Sequence, residues 1–538
     1  MNCDTNKGFG RNSKTLQNKK GNRLVQAIPL LVFGLLLSDC QQSKGNQEIA
    51  ALIGVLNNNL SANVADPGEV YSGGFTTNFI TNVSAFDVRA ANLRYGGASE
   101  FNSGNAFFNR NWAAEGSSAA FGLGPTFNTN SCQNCHLHDG RGAPPSSGTA
   151  NNTPGILFRL SKDGTNPTTG GPVGLTNYGL QLNHKGIGCN PIVYTGANFD
   201  CDTGSGSVAG ANFTPPEGTV SISYSTIAAP NYPSGSHTYP EGTDITLSQP
   251  SYTFTWNSLF GDPTITGEGF HFSPRTAQII PGLGLLEAIP DSIIQGWADP
   301  SDLDGDGISG KINQVWDVTA NAKKIGRFGW KANEPTLFQQ TQGAFQGDIG
   351  ITSPLFPVDN CPSAQTACLA ASSGSPDPEI TASLATAVIF YNKLVGVPAR
   401  RNVSDPDVVA GKALFSSVGC DSCHKTLVQT GYVSGFPELS YQYIKPYTDL
   451  LLHDMGPGLA DGRQDFDATG QEWRTAPLWG IGLIQTVNGH TKLLHDGRAN
   501  GIEEAILWHG GEAQTARQNF QVLTATQRQQ LIQFLESL

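Results

Sequence analysis

SCQNCH at Ser131–His136 and GCDSCH at Gly419–His424 are two copies of one pattern, Cys-x-x-Cys-His. Paired thiols with an imidazole beside the second suit the attachment of c-type haem. The sulfurs add across the vinyl groups, and the His reaches the iron from one face. A thioredoxin-like Cys-x-x-Cys pair belongs near a βαβ pattern, and neither copy is in one. Structural zinc sites space their halves by about a dozen residues, not by most of a chain. Neither rival accounts for a His directly after both second cysteines. The pattern therefore predicts two covalently bound haem c groups, held by Cys132, Cys135, Cys420 and Cys423, with His136 and His424 as proximal ligands of the irons.

Outward from the motifs, the sixth iron position decides function. Met raises the haem potential, a second His lowers it, and a vacancy admits peroxide or another small molecule. Met455, in YTDLLLHDMGPGLADGR, is a candidate distal ligand with His453 competing; its ordinary reading is core filler. His509 shares a helical face with Ile502, Ala505 and Ile506 and is the other candidate, set against a satisfied core His. HDGR occurs at His138–Arg141 and His495–Arg498. Arg141 and Arg498 either reach haem propionates or are solvated ends of Asp-Gly turns. His184, His237, His271 and His490 have no supporting context and read as structural.

SDLDGDGISG carries alternating Asp302, Asp304 and Asp306 with Gly at the tight turn, a candidate calcium loop. Position twelve of that loop is Asn313 rather than Glu, and an Asx-rich turn is the alternative. Trp112, Trp330 and Trp479 either lie between redox centres or pack in cores.

A chain of 538 residues implies two or three domains. Only 14% of residues are charged, while Gly (64) and Pro (32) are abundant, which favours long ordered loops. The net charge of −12 argues against nucleic acid and suits a basic redox partner. Lys19, Lys20 and Arg23 precede an apolar run from Leu24 to Leu37, too short to span a bilayer, so residues 1–39 read as an export signal. LSDC resembles a bacterial lipobox, with Asp39 where a small residue is usual. A lipidated Cys40 would attach the mature chain to a membrane; plain cleavage or a retained anchor are the alternatives. Export predicts the periplasm or cell envelope, where Cys189 with Cys201 and Cys361 with Cys368 read as local disulfides.

Residues 66–160 are organised around the first motif, with helix-like spacing in FNSGNAFFNRNW. Residues 161–265 form a β-rich insertion carrying TVSISYS and YTFTW. A connecting region, 266–398, holds the Asp-rich loop and the helix ITASLATAVIFYNKLVG. In 399–538, Asp405-Pro406 starts a helix into the second motif. Thr526 with Gln529 forms a capping box for a closing helix through Leu531, Phe534 and Leu538. A helix entering Cys-x-x-Cys-His and a last helix crossing it is the skeleton of a class I cytochrome c. The expected fold is mainly α, two class I cytochrome c-like haem domains with long loops and the β-rich insertion.

Together with PGEVYSGG, GLGPTFNTNSCQNCHLHDGRGAPP, PGLGLLEAIP, DLDGDGISGKIN, GRFGWKAN, DLLLHDMGPGLADG, FDATGQEWRTAPLWGIG and LLHDGRANGIEEAILWHGGEA, the chain resembles the bacterial di-haem oxidoreductase family. Its members are also labelled thiol oxidoreductases and are relatives of di-haem cytochrome c peroxidase and MauG. The resemblance runs from about Pro67 to the C-terminus. It implies that a redox partner protein, a small cytochrome or copper protein, donates electrons at the C-terminal haem, and that hydrogen peroxide is reduced at the N-terminal haem. Those peroxidases often place a Met ligand for the C-terminal haem where this chain has His509, which implies a His/His haem of lower potential. Their N-terminal distal ligand has no clear counterpart, and residues 146–260 are outside their pattern. The alternatives are a non-catalytic electron-transfer cytochrome, or an oxidase of thiols or of a partner protein. No catalytic side chain is named by the sequence.

Overall fold

The computed structural model describes residues 67–113, 122–149, 155–187, 199–200, 205–206, 214–228, 239–243, 245–371, 374 and 376–538. The export signal, Cys40, Cys189, Cys201 and His237 lie outside the described residues.

Helix α1, Ala98–Phe108, forms where Phe101, Gly104 and Phe108 share one buried face. Four strands follow: β1 Ile156–Thr165, β2 Gly218–Ala228, β3 Thr246–Trp256 and β4 His271–Thr276. β2 pairs antiparallel with β3 along its whole length, Gly218 opposite Trp256; β4 pairs with β1, His271 opposite Ser161. Their aromatic residues pack together, with Phe254 stacked on Trp256 at 5.0 Å and edge-on to Phe272 at 4.9 Å.

Helix α2, Leu337–Ala344, is capped by Thr336, whose hydroxyl accepts from the Gln339 amide, and it runs into a π turn at Phe345–Ile349. Thr381 caps α3, Ala382–Leu394, and Asp405 caps α4, Pro406–Ser417, with proline in the first turn. β5 Leu452–Asp454 pairs with β6 Glu472–Arg474. α5 Ile502–Leu507 and α6 Ala525–Ser537 end the chain. The closing capping box is Thr524 with Gln527, two residues before the expected Thr526 and Gln529. Both pairs have the right spacing; the helix begins at the first because Thr524 is the extended residue, with ψ at 157°.

α1 packs across α3, and α4 across α6. Each crossing is made at a glycine. A Cβ on Gly104 would lie 2.1 Å from the Ala387 carbonyl oxygen, and one on Gly411 would lie 2.0 Å from that of Gln530. Backbone contact that close explains why both helices keep a residue of poor helix propensity in mid-span.

The expectation of a mainly α chain built as two class I cytochrome c-like domains is corrected. The fold is mixed, 30% helical and 18% strand, with the strands in small sheets of two or three. Strands are not confined to an insertion either: Gln314–Asp317 with Ala322–Ile325, and β5 with β6, lie among the helices. These strands are too short for a period-2 pattern to stand out, so the sequence reads them as loop. Contacts gather the described residues into one unit. One buried cluster holds Phe108, Val388 and Trp479, and another holds Phe415, Trp508 and Trp330. Among the described residues, no helix is long and apolar enough to cross a membrane.

Candidate functional site

The first motif is a single helical turn, Cys132–Cys135, closed by the His136 amide donating to the Cys132 carbonyl at 3.0 Å. The second repeats it: the His424 amide donates to Cys420 O at 3.0 Å, after Gly419 turns the chain at φ +94°. One turn puts two thiols and an imidazole on one side. All four cysteines are free thiols, and burial pushes Cys135 and Cys420 up to about 12. Neither pair forms a disulfide, and burial keeps Cys132, Cys135 and Cys420 from ionising.

Both imidazoles are fixed by the same device. His136 Nδ1 donates to Gln278 O at 2.7 Å and His424 Nδ1 to Tyr447 O at 2.8 Å. With Nδ1 committed, Nε2 is the nitrogen available to a metal. Burial lowers the pKa of both, His424 to about 4, so each ring is a neutral donor. Arg474 donates to Gln278 Oε1 at 2.8 Å, tying a late segment to the support of the first imidazole.

The two motifs open into one cavity of about 640 Å³. His509 and Met455 both lie on its wall. His509 follows α5, with Nδ1 donating to Ala505 O at 2.8 Å, and it is near enough to His424 to help depress that ring, after burial. His453 is also on the wall but is fully engaged: Nδ1 reaches Glu512 at 2.7 Å and Nε2 reaches Asp449 at 3.0 Å. Burial disfavours its charge, yet the bonds to Asp449, Cys423 and Glu512 raise its pKa well above the ordinary value. Both ring nitrogens are thus taken up by carboxylates. Trp330 and Trp479 reach the wall; Trp112 is buried elsewhere, under Arg110 at 4.4 Å.

The residues suit two haems. Each motif supplies two thiols and a neutral imidazole at the edge of a shared, largely apolar space, and the buried Trp479 Nε1 on that wall has no protein acceptor. A family model described as "di-haem oxidoreductase, putative peroxidase" matches residues 68–198 and 231–538. The chain belongs to the di-haem oxidoreductase family. No curated protein matches it.

In this di-haem oxidoreductase the first HDGR segment grips the chain that leads into the second. Arg141 donates to Lys492 O at 2.8 Å and to Leu494 O, and the Thr276 amide donates to His495 O at 2.7 Å. Arg498 instead holds its own Asp496 at 2.8 Å and Gly458 O at 2.7 Å. Both arginines are buried, so neither is a solvated turn end. His495, on the cavity wall, stacks on Trp473 at 3.8 Å.

The oxidoreductase gathers donor oxygens of Asp299, Asp302 and Asp304 within 4.8 Å; Asp306 is outside that group and lines the cavity. Asn313 turns inward, donating to Lys331 O at 2.7 Å and Asp465 O at 3.0 Å. Asp299 was missed because it precedes the alternating run. His271 bonds Asp163 at 2.7 Å and His490 bonds Arg141 O at 2.9 Å, both structural. Cys361 and Cys368 form a disulfide. Sequence reasoning also missed Gln340, Thr341, Asp348 and Asn392 on the wall near the first motif. The spacing of Leu337, Gln340, Thr341 and Ala344 is the signal that reveals Gln340 and Thr341.

Proposed function

We propose that the protein is an exported, lipid-anchored di-haem c-type cytochrome that reduces hydrogen peroxide at the first haem, with electrons entering at the second. The observation that carries this reading is the asymmetry of one cavity. Its second side presents His509 and Met455, while α2 presents Leu337, Gln340, Thr341 and Ala344 to the first. Cys132 and Cys135, and Cys420 and Cys423, would hold the vinyl carbons as thioethers, with His136 and His424 as the residues that would ligate the irons. Haem supplies one-electron chemistry and an open iron site for O–O cleavage when its sixth position is free.

The chain's own groups do the rest. His509 would close the second site, so that it would take electrons from a small cytochrome or copper protein and not substrate; Met455 lines the same cavity. Gln340, Thr341 and Asn392 orient the peroxide hydroxyl. One hydrogen peroxide, two electrons and two protons give two waters. Asp302, Asp304 and Asp299 form the calcium site in this reading, and residues 1–39 with Cys40 direct and anchor the chain in the envelope.

Optical spectra of the purified protein before and after peroxide, with turnover against a reduced donor protein, test the reaction. One high-spin haem that responds to peroxide is expected. Two low-spin haems that ignore it would sink the peroxidase reading and leave an electron-transfer cytochrome.

A further inference from the structure

We propose that Ala344 keeps the first centre open, because it holds at the end of α2 the place in the spacing that His509 holds just past the end of α5. This deepens the peroxidase reading and rests on it.

Two helices enter the cavity wall with the same spacing. From α2 come Leu337, Gln340, Thr341 and Ala344; from α5 and the turn that follows it come Ile502, Ala505, Ile506 and His509. Both sets step by three, one and three residues, which is one face of an α-helix over two turns. Each helix leans on the second member of a crossing pair, α2 on α3 and α5 on α6. Each face also addresses its own motif. His509 acts electrostatically on His424, and Asp348, one turn beyond Ala344, acts on Cys132, Cys135 and His136. In this register a methyl group stands where the other half has an imidazole.

An independent observation marks the space as one for a small polar ligand. Asn392, 7% exposed, lies on the cavity wall beside Thr341. Its Nδ2 donates to Thr341 Oγ1 at 3.1 Å, while its Oδ1 is buried without any donor. A buried acceptor left without a partner is costly, and an O–H group entering the cavity satisfies it. Water and hydrogen peroxide both carry one.

The test uses the haem-loaded protein, cyanide as probe and optical and electron-paramagnetic spectra as readout, with covalent haem content measured for every variant. The unmodified protein is expected to bind one cyanide per two haems. Ala344→His turns the first haem low-spin and abolishes that binding, and His509→Ala opens the second haem so that two cyanides bind. Ala344→Leu, which fills the space without offering a ligand, keeps the haem high-spin and weakens cyanide by about tenfold or more. If Ala344→His and Ala344→Leu both titrate as the unmodified protein does, the position does not face the iron and the inference falls, while the open-site reading stands. If the unmodified protein binds no cyanide and has two low-spin haems, both fall.

Discussion

Around the first motif, α1 meets α3 at Gly104, and Phe108 lies 5.4 Å from Tyr391 and 6.2 Å from His136. Around the second, α4 meets α6 at Gly411, and Phe415 lies 5.2 Å from Phe534 and 6.3 Å from His424. The same glycine contact, aromatic spacer and carbonyl-fixed imidazole are thus built twice from different residues. The halves diverge where side chains face the cavity and at the HDGR turns. Asp139 is buried against the Tyr391 hydroxyl, and burial pushes its carboxyl up to about 8, because Arg141 is turned to backbone carbonyls. Asp496 is equally buried, yet Arg498 and His495 overcome that burial and hold it below the ordinary carboxylate range. One tetrapeptide yields a neutral acid in one half and an ion pair in the other. A shared scaffold therefore says little about charge, which is decided by where one guanidinium points.

Four perturbations probe that comparison, beginning with the largest. Replacing Cys420 and Cys423 by Ser should halve the covalent haem and abolish peroxide turnover. Replacing Cys132 and Cys135 should also halve the haem, but leave a centre that still takes electrons from a donor; haem content and donor oxidation read both. Asp496→Asn removes the partner of a buried guanidinium and should cost about 3–5 kcal/mol. Asp139→Asn should act through pH instead. A carboxyl whose folded pKa is raised contributes stability that is full below about pH 4, its unfolded value, and is lost as pH rises to about 8. The amide should flatten that fall in urea midpoints measured from pH 4 to 8.

Gly104→Ala and Gly411→Ala push a methyl into a backbone carbonyl and should each cost about 1–3 kcal/mol. Unequal losses in denaturation would break the equivalence of the two crossings. His509→Met should leave stability nearly unchanged and raise the potential of one haem by on the order of 0.1 V, within the roughly 0.8 V that axial ligands span. A redox titration that shifts neither haem would remove His509 from the second centre.

The motifs, the helix into the second one and the Cys361–Cys368 disulfide were legible because each rests on residues close in sequence. The α1–α3 crossing was not, since Gly104 and Ala387 are brought together only by tertiary packing. The wall of α2 was hidden for another reason: Gln340 and Thr341 look like surface residues until a cavity is placed beside them. The hold on His453 was illegible because Glu512, one of its two carboxylate partners, lies 59 residues away in the chain. The helical weighting failed on strands such as β5 and β6, held by backbone pairing that side-chain periodicity does not report.

The grip of Arg141 on the chain before the second HDGR segment bears on the order of assembly. The bond from Arg141 to Lys492 O spans 351 residues, and Tyr391 to Asp139 spans 252. Closing loops of that length costs entropy that no local contact offsets on its own. During synthesis the first motif emerges long before the carbonyls that hold Arg141, so its surroundings cannot mature until the last part of the chain exists. A truncation past Lys492 would injure the end of the molecule that was made first.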